Sequence, residues 1–224
     1  TANYKKDQAH VRELMREAIG ETEDPRRKRQ VEREVHKYVR EIAARYNARY
    51  IRFLDFVAQQ IIKRMYDDVV VDEEGLKRVA EAMRKSPLIL CPSHKSHIDY
   101  LILSQTMLRA GLTPPHIAAG VNLSFWPLGP IFRGCGAFFL RRSFRGNRLY
   151  GAVFKAYVKY LLREGYSVEF FMEGGRSRTG KLLQPRFGML NMIYDAFGEG
   201  ACEDLHVVPV AIDYERIAEV GAYA

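Results

Sequence analysis

The chain has 224 residues, 47% of them hydrophobic and 28% charged, an ordinary globular composition that suits one substantial α/β domain with an extension and leaves no low-complexity tract. Three widely spaced cysteines (Cys91, Cys135, Cys202) exclude a disulfide framework and predict a reducing, cytosolic setting. A net charge of +8 and a pI near 9.4 imply attraction to anions, but charge alone does not choose among nucleic acid, acidic lipid headgroups, phosphorylated substrates and an acidic carrier protein.

Thr1 opens a polar stretch with no signal-peptide pattern. The absent initiator Met and the plain Gly221-Ala222-Tyr223-Ala224 end predict a piece of a longer protein. Residues 1–85 read as a helical N-terminal region, with Arg26-Arg27-Lys28-Arg29 on an exposed turn or helix. Val31, Val35, Tyr38, Val39, Ile42 and Tyr46 recur at steps of three and four, and Ile51, Leu54, Val57, Ile61, Ile62 and Met65 continue the pattern. Such stripes pack against the rest of a protein or lie on a membrane surface.

From Pro87 the pattern alternates, and residues 86–224 are expected to form an α/β domain. Strands are expected at Leu88 to Cys91, His116 to Ala119, Ala137 to Leu140, Ser167 to Met172 and His206 to Ile212. Helices are expected at His97 to Arg109, Asn147 to Glu164 and Gly188 to Phe197, with Gly165 as a C-cap. The fold class is therefore a central mixed, largely parallel sheet flanked by helices.

Between the first strand and helix stands Cys91-Pro92-Ser93-His94-Lys95-Ser96-His97-Ile98-Asp99-Tyr100. An imidazole and a carboxylate can form a general base with its orienting partner. On one continuous helix, residues five apart lie roughly 140° apart and cannot meet. His94 and Asp99 can therefore meet only across a strand-to-helix junction. Two other readings stay open: Ser96 as N-cap with Asp99 as its capping-box acid, or His94, His97 and Asp99 as metal ligands. The remaining histidines (His10, His36, His116, His206) are scattered and no Cys-x-x-Cys accompanies them, so no metal is expected.

Ala110 to Phe132 is long and free of formal charge, but Pro114, Pro115, Pro127 and Pro130 with Gly111, Gly120 and Gly129 would break a spanning helix repeatedly. Beyond it, Gly136-Ala137-Phe138-Phe139-Leu140-Arg141-Arg142 puts guanidinium groups at a strand's carboxyl end, where open α/β sheets bind ligands. They suit two-pronged contact with a phosphate, or they belong to a solvated basic loop that runs on to Arg145. Phe171-Met172-Glu173-Gly174-Gly175-Arg176-Ser177-Arg178-Thr179-Gly180-Lys181 repeats the arrangement with glycines that let the backbone approach an anion. It is not a P-loop, because Leu182 follows Gly180-Lys181 where a hydroxyl is required. A His base and two arginine-bearing loops suit removal of a proton from the hydroxyl of a phosphorylated alcohol.

These clusters resemble the four boxes of the glycerolipid acyltransferase family, in family order: His94-x4-Asp99, Gly136 to Arg142, Phe171 to Arg178, and Val207-Val208-Pro209-Val210. The resemblance runs from about Pro87 to Ala224. Glu173-Gly174-Gly175-Arg176 is similar to the branch that acylates glycerol 3-phosphate or dihydroxyacetone phosphate, where lysophosphatidate enzymes usually carry Glu-Gly-Thr-Arg. The resemblance implies that His94 deprotonates the sn-1 hydroxyl of glycerol 3-phosphate while Asp99 orients the imidazole. The alkoxide then attacks the thioester of acyl-CoA or acyl carrier protein directly and gives lysophosphatidic acid, the first step of phospholipid synthesis. Arg141, Arg142, Arg176, Arg178 and Lys181 would hold the phosphate. Phe139, Leu140, Glu173, Gly174, Ser177 and Pro209 would shape the pocket. Phe125, Trp126 and Phe132 would line the acyl chain's groove, meet the membrane, or simply pack in the core. The resemblance further implies no bound cofactor and peripheral attachment to the cytoplasmic face of an anionic inner membrane. A nucleic-acid partner is not expected, since no zinc-finger spacing or RNP-like aromatic motif is present.

Overall fold

A computed structural model of the chain describes residues 25–96, 98–144, 146–177 and 181–214. The helical expectation for residues 1–24, and His97, Arg145, Arg178, Thr179 and Gly180 of the sequence motifs, lie outside the described residues.

Two long helices come first. Helix α1 (Pro25–Ile42) begins with proline, whose missing N–H costs nothing at a helix start, and buries Val35, Tyr38 and Ile42 along its apolar stripe. Helix α2 (Ala48–Met65) starts afresh at Asn47, whose side chain accepts the Arg49 N–H at 2.9 Å. The apolar periodicity runs on from Val31 to Met65, but a break at 43–47 divides it. There the Arg45 and Asn47 amides donate to the carbonyls of Arg133 and Gly134. The Arg133 guanidinium in turn donates to the carbonyls of Glu41 and Ala43, so the break is tied down on both sides. A shorter helix, α3 (Glu73–Met83), is capped by Asp72.

The sheet follows: β1 (Leu88–Pro92), β2 (His116–Gly120), β3 (Ala137–Leu140), β4 (Val168–Glu169) and β5 (His206–Val210), in the order β3-β2-β4-β1-β5. Every pairing is parallel, so the mixed character expected from the sequence has no counterpart among the described residues. A parallel sheet needs cover on both faces. Ile89 and Val168 face the main core, built with α1, α6 (Arg148–Arg163) and α7 (Gly188–Gly198) around Phe138, Tyr150, Phe154 and Ile193. Burying each such large side chain contributes roughly 1.5–3 kcal/mol. Leu88 and Leu90 alternate to the other face, against Met107 of α4 (Asp99–Arg109) and Val79 and Met83 of α3. Helix α2 packs beside α4 and α5 (Leu128–Gly134).

Two boundaries differ from expectation in ways that shape the site. Strand β4 ends at Glu169, not Met172, because after Phe170 donates to the Leu90 carbonyl the chain turns, with the Gly174 amide bonding back to Phe171. Helix α4 starts at Asp99 after Ile98, two residues later than the apolar spacing implies, which leaves Ser93–Ser96 as a loop at the carboxyl end of β1.

Candidate active site

His94 stands in that loop and Asp99 is the first residue of α4, so the pair meets across the junction that its spacing requires. His94 Nδ1 lies 2.8 Å from Asp99 Oδ2. The same oxygen accepts the main-chain N–H groups of Lys95 at 2.8 Å and Ser96 at 2.9 Å. The other oxygen, Oδ1, accepts the hydroxyl of Tyr214. Asp99 is completely buried, yet all its bonding capacity is directed at donors. The capping-box alternative is thus realised in part: the carboxylate reaches back to the Ser96 amide even though Ile98, not Ser96, holds the cap position. Capping and the histidine contact are made by one carboxylate.

With Nδ1 engaged by a carboxylate, the imidazole is held as the Nδ1–H tautomer and Nε2 carries the free lone pair. The ring lies against Phe171, centroid to centroid at 4.0 Å and 28° from parallel, and is still partly open to solvent. The loop after β4 clamps the His94 backbone from both sides. Its amide donates to Glu173 Oε1 at 3.3 Å, and its carbonyl accepts the Ser177 amide at 2.9 Å. Glu173 Oε2 and Ser177 Oγ, both buried, have no partner among the described residues. Gly174 makes the turn possible: its φ is +63°, and a Cβ there would sit 2.9 Å from Arg186 Cδ. Two buried polar atoms without partners among the described residues, on the loop that bonds the His94 backbone, could take up a polar, hydroxyl-bearing molecule. Cys91 is no rival nucleophile, since burial pushes its thiol up to about 11.

The expected cations differ in their surroundings. Arg141 is engaged elsewhere, its Nε and Nη2 donating to the two oxygens of Glu41 at 2.6 and 2.7 Å, its guanidinium 4.3 Å above the Tyr150 ring and 5.2 Å from that of Tyr38. Its strand is three places from β1, about 14 Å at the usual strand spacing. Arg142 and Lys181 are exposed, and Arg176 is half-buried. Arg178 lies outside the described residues.

Phe139 needs correction as a pocket residue: it is fully buried beneath the Arg133 guanidinium, 4.5 Å above its ring, so it supports the strand end from behind. Leu140 is half-buried and packs on the main core. Pro209 is exposed, paired in register with Cys91 at the same end of the sheet as His94. Phe125 and Trp126 project into solvent beside α5, Trp126 being 84% exposed, while Phe132 is half-buried with its ring edge-on to Tyr100. Among the described residues no cluster of three or more His, Cys, Asp or Glu side chains could hold a metal, and no helix is long and apolar enough to cross a membrane.

A family model described as Acyltransferase matches residues 70–213, nearly two thirds of the chain. The chain belongs to the acyltransferase family. Among curated relatives, the glycerol-3-phosphate acyltransferase of Actinobacillus succinogenes is 44% identical over 198 residues, covering 88% of this chain and 24% of that protein. The protein of the same name from Glaesserella parasuis is 46% identical over 193 residues, covering 86% and 24%. This acyltransferase chain therefore spans about a quarter of the length of those relatives. A crystal structure of the 1-acyl-sn-glycerophosphate (LPA) acyltransferase PlsC from Thermotoga maritima is matched over 98% of this chain and 87% of that one, at 16% identity and a TM-score of 0.48.

Four residues that bond to the expected site residues or lie buried close to them escaped the sequence motifs. Glu41 holds Arg141, and Tyr214 and Asp213 bond to Asp99 and Lys95. The fourth, Glu169, is fully buried in the central strand with neither oxygen bonded among the described residues. Only Glu169 left a signal, as a lone charge in the apolar run Val168-Glu169-Phe170-Phe171.

Proposed function

We propose that this chain carries the acyl-transfer centre of a glycerol-3-phosphate 1-O-acyltransferase. The observation that carries the reading is the His94–Asp99 pair at the carboxyl end of β1, with Glu173 Oε2 and Ser177 Oγ buried and unpartnered beside it. His94 Nε2 takes the proton of the sn-1 hydroxyl as that oxygen attacks the thioester carbonyl of acyl-CoA or acyl carrier protein. A C–O ester bond forms and the C–S bond breaks. The proton held on the imidazolium passes to the departing thiolate, and lysophosphatidic acid is released. Positioned bases of this kind contribute about 10²- to 10⁴-fold, and holding the acceptor adds proximity.

Glu173 Oε2 accepts a substrate hydroxyl, and Ser177 Oγ serves as a polar contact rather than a nucleophile. Arg176, Arg178 and Lys181, on the loop that touches His94, take the phosphate. Arg141 joins them by exchanging Glu41 for the phosphate, and Arg142 adds charge at the rim. The exposed pair Phe125 and Trp126, with the net charge of +8, supports peripheral contact with an anionic membrane that delivers the acyl chain. A phosphorylated acceptor and a hydrophobic donor would place the reaction on the cytoplasmic face of the inner membrane, in phospholipid synthesis.

The test is acyl transfer by the full-length protein from a labelled thioester to glycerol 3-phosphate, dihydroxyacetone phosphate or lysophosphatidate in turn. Glycerol 3-phosphate is expected to be the preferred acceptor, and His94→Ala to lose at least about 10²-fold in kcat. Activity retained in His94→Ala removes the base, and preference for another acceptor removes the substrate.

A further inference from the structure

The two oxygens of Asp99 are held from opposite directions. Oδ2 receives His94 Nδ1 and the Lys95 and Ser96 amides, all from the five residues that precede it. Oδ1 receives the Tyr214 hydroxyl, 115 residues further along the chain and just outside the 70–213 span that the family model matches. We propose that Tyr214 is a positioning residue of the reaction, whose hydroxyl fixes the rotation of the Asp99 carboxylate so that Oδ2 stays turned toward His94. The proposal rests on the reading of His94 and Asp99 as the reacting base and its partner.

The chain secures Tyr214 for this task at three points. Its ring lies 5.5 Å from that of Tyr66, the residue that caps the end of α2. It packs on the small apolar cluster of Ala58, Ile98 and Leu101, which joins α2 to the start of α4. The preceding residue, Asp213, pairs with Lys95 Nζ. The segment after β5 is thereby pinned to residues on both sides of the His94–Asp99 contact.

The physical need is specific. A buried carboxylate oxygen left without a donor carries the full cost of its desolvation. Three donors on Oδ2 leave Oδ1 dependent on Tyr214 among the described residues. Without it, Oδ1 is a buried anionic oxygen with no partner, and the carboxylate turns to share the donors of Oδ2. The His94 contact is the one such a rotation loosens most easily, because the Lys95 and Ser96 amides are fixed in the backbone. A neutral phenol meets the need without adding charge.

The experiment uses the full-length protein with glycerol 3-phosphate and a long-chain thioester. Tyr214→Phe keeps the ring and its packing and removes only the hydroxyl. It is expected to lower kcat about tenfold, the scale of one hydrogen bond to a charged group. KM for glycerol 3-phosphate should stay within about twofold, because a positioning role acts on turnover and not on acceptor binding, while the thermal midpoint should fall, since Oδ1 is left buried without a donor. Added to Asp99→Asn, the same change is expected to cost nothing more, since the hydroxyl acts through that carboxylate. Wild-type kcat in Tyr214→Phe beside a crippled Asp99→Asn would overturn the role of Tyr214 and leave the base intact. A full further loss in the double variant would overturn it too. Full activity in Asp99→Asn would overturn both the base assignment and the role of Tyr214.

Discussion

Asp99 and Glu169 are both fully buried near the carboxyl end of the sheet, and they make opposite sets of bonds. Asp99 accepts four donors, whereas Glu169 has no partner for either oxygen among the described residues. In register with Leu90 and Ile117, Glu169 faces the side of the sheet that α4 covers. Burial, and after it the charge of Asp99, pushes its carboxyl well above the usual carboxylate range. Depth in the fold is the same for both. What separates the two is the supply of N–H and O–H groups, which the loop after β1 concentrates on Asp99. Glu173 stands between them, with Oε1 bonded to the His94 amide and Oε2 unpartnered among the described residues.

Asp99→Asn would break the comparison most severely. Replacing one oxygen by NH2 turns a donor either toward His94 Nδ1 and the Lys95 and Ser96 amides or toward the Tyr214 hydroxyl, which can accept it, and in both cases the negative charge that supports the imidazolium is lost. A decrease in kcat of about 10²- to 10⁴-fold is expected, with KM for the acceptor little changed. Steady-state kinetics decide it. A fall of less than about tenfold would mean that the donor set around Asp99 is only a helix cap.

Glu169→Gln tests the other half and is expected to alter stability, not turnover. Below the ordinary carboxylate pKa of about 4.3, the acid is protonated whether the chain is folded or not, and the variant gains nothing. As pH rises, the unfolded chain releases this proton while the folded chain keeps it, so wild-type stability declines with pH until the raised folded-state value is passed. Glutamine removes that slope. The thermal midpoint of Glu169→Gln should therefore exceed wild type near pH 7.5 and match it near pH 4, with kcat unchanged. An equal midpoint at both pH values would show that Glu169 finds a donor in solution.

How far such details were legible in the sequence depended on whether they are local. The five strands could be found because each is an apolar run bounded by Gly, Pro or charge, and the meeting of His94 with Asp99 followed from geometry that forbids it on a single helix. The break between α1 and α2 was less visible, because it depends on Arg133, ninety residues away, bonding the carbonyls of Glu41 and Ala43. Arg141 reads as a free cation at a strand end until α1 brings Glu41 to it. Phe139 looks like a pocket residue until Arg133 is seen to cover its ring. Tyr214 follows the last apolar strand with no periodic signal, and only the sheet order, which sets β5 beside β1, carries it to Asp99.

The smallest expected effect concerns Glu41, a carboxylate with the opposite surroundings: partly exposed and held by a full guanidinium rather than by neutral donors. Arg141 grips it with the two-pronged geometry it would use on a phosphate, so the substrate and Glu41 compete for the same fork. An ion pair with side chains 33% and 21% exposed is screened by solvent and contributes no more than about 1 kcal/mol. Glu41→Gln frees the guanidinium at that modest cost. KM for glycerol 3-phosphate is then expected to fall by about two- to fivefold with kcat unchanged, as measured by initial rates over a range of acceptor concentration at fixed ionic strength. A rise in KM would show the reverse relation, in which Glu41 holds Arg141 in the position that receives the phosphate.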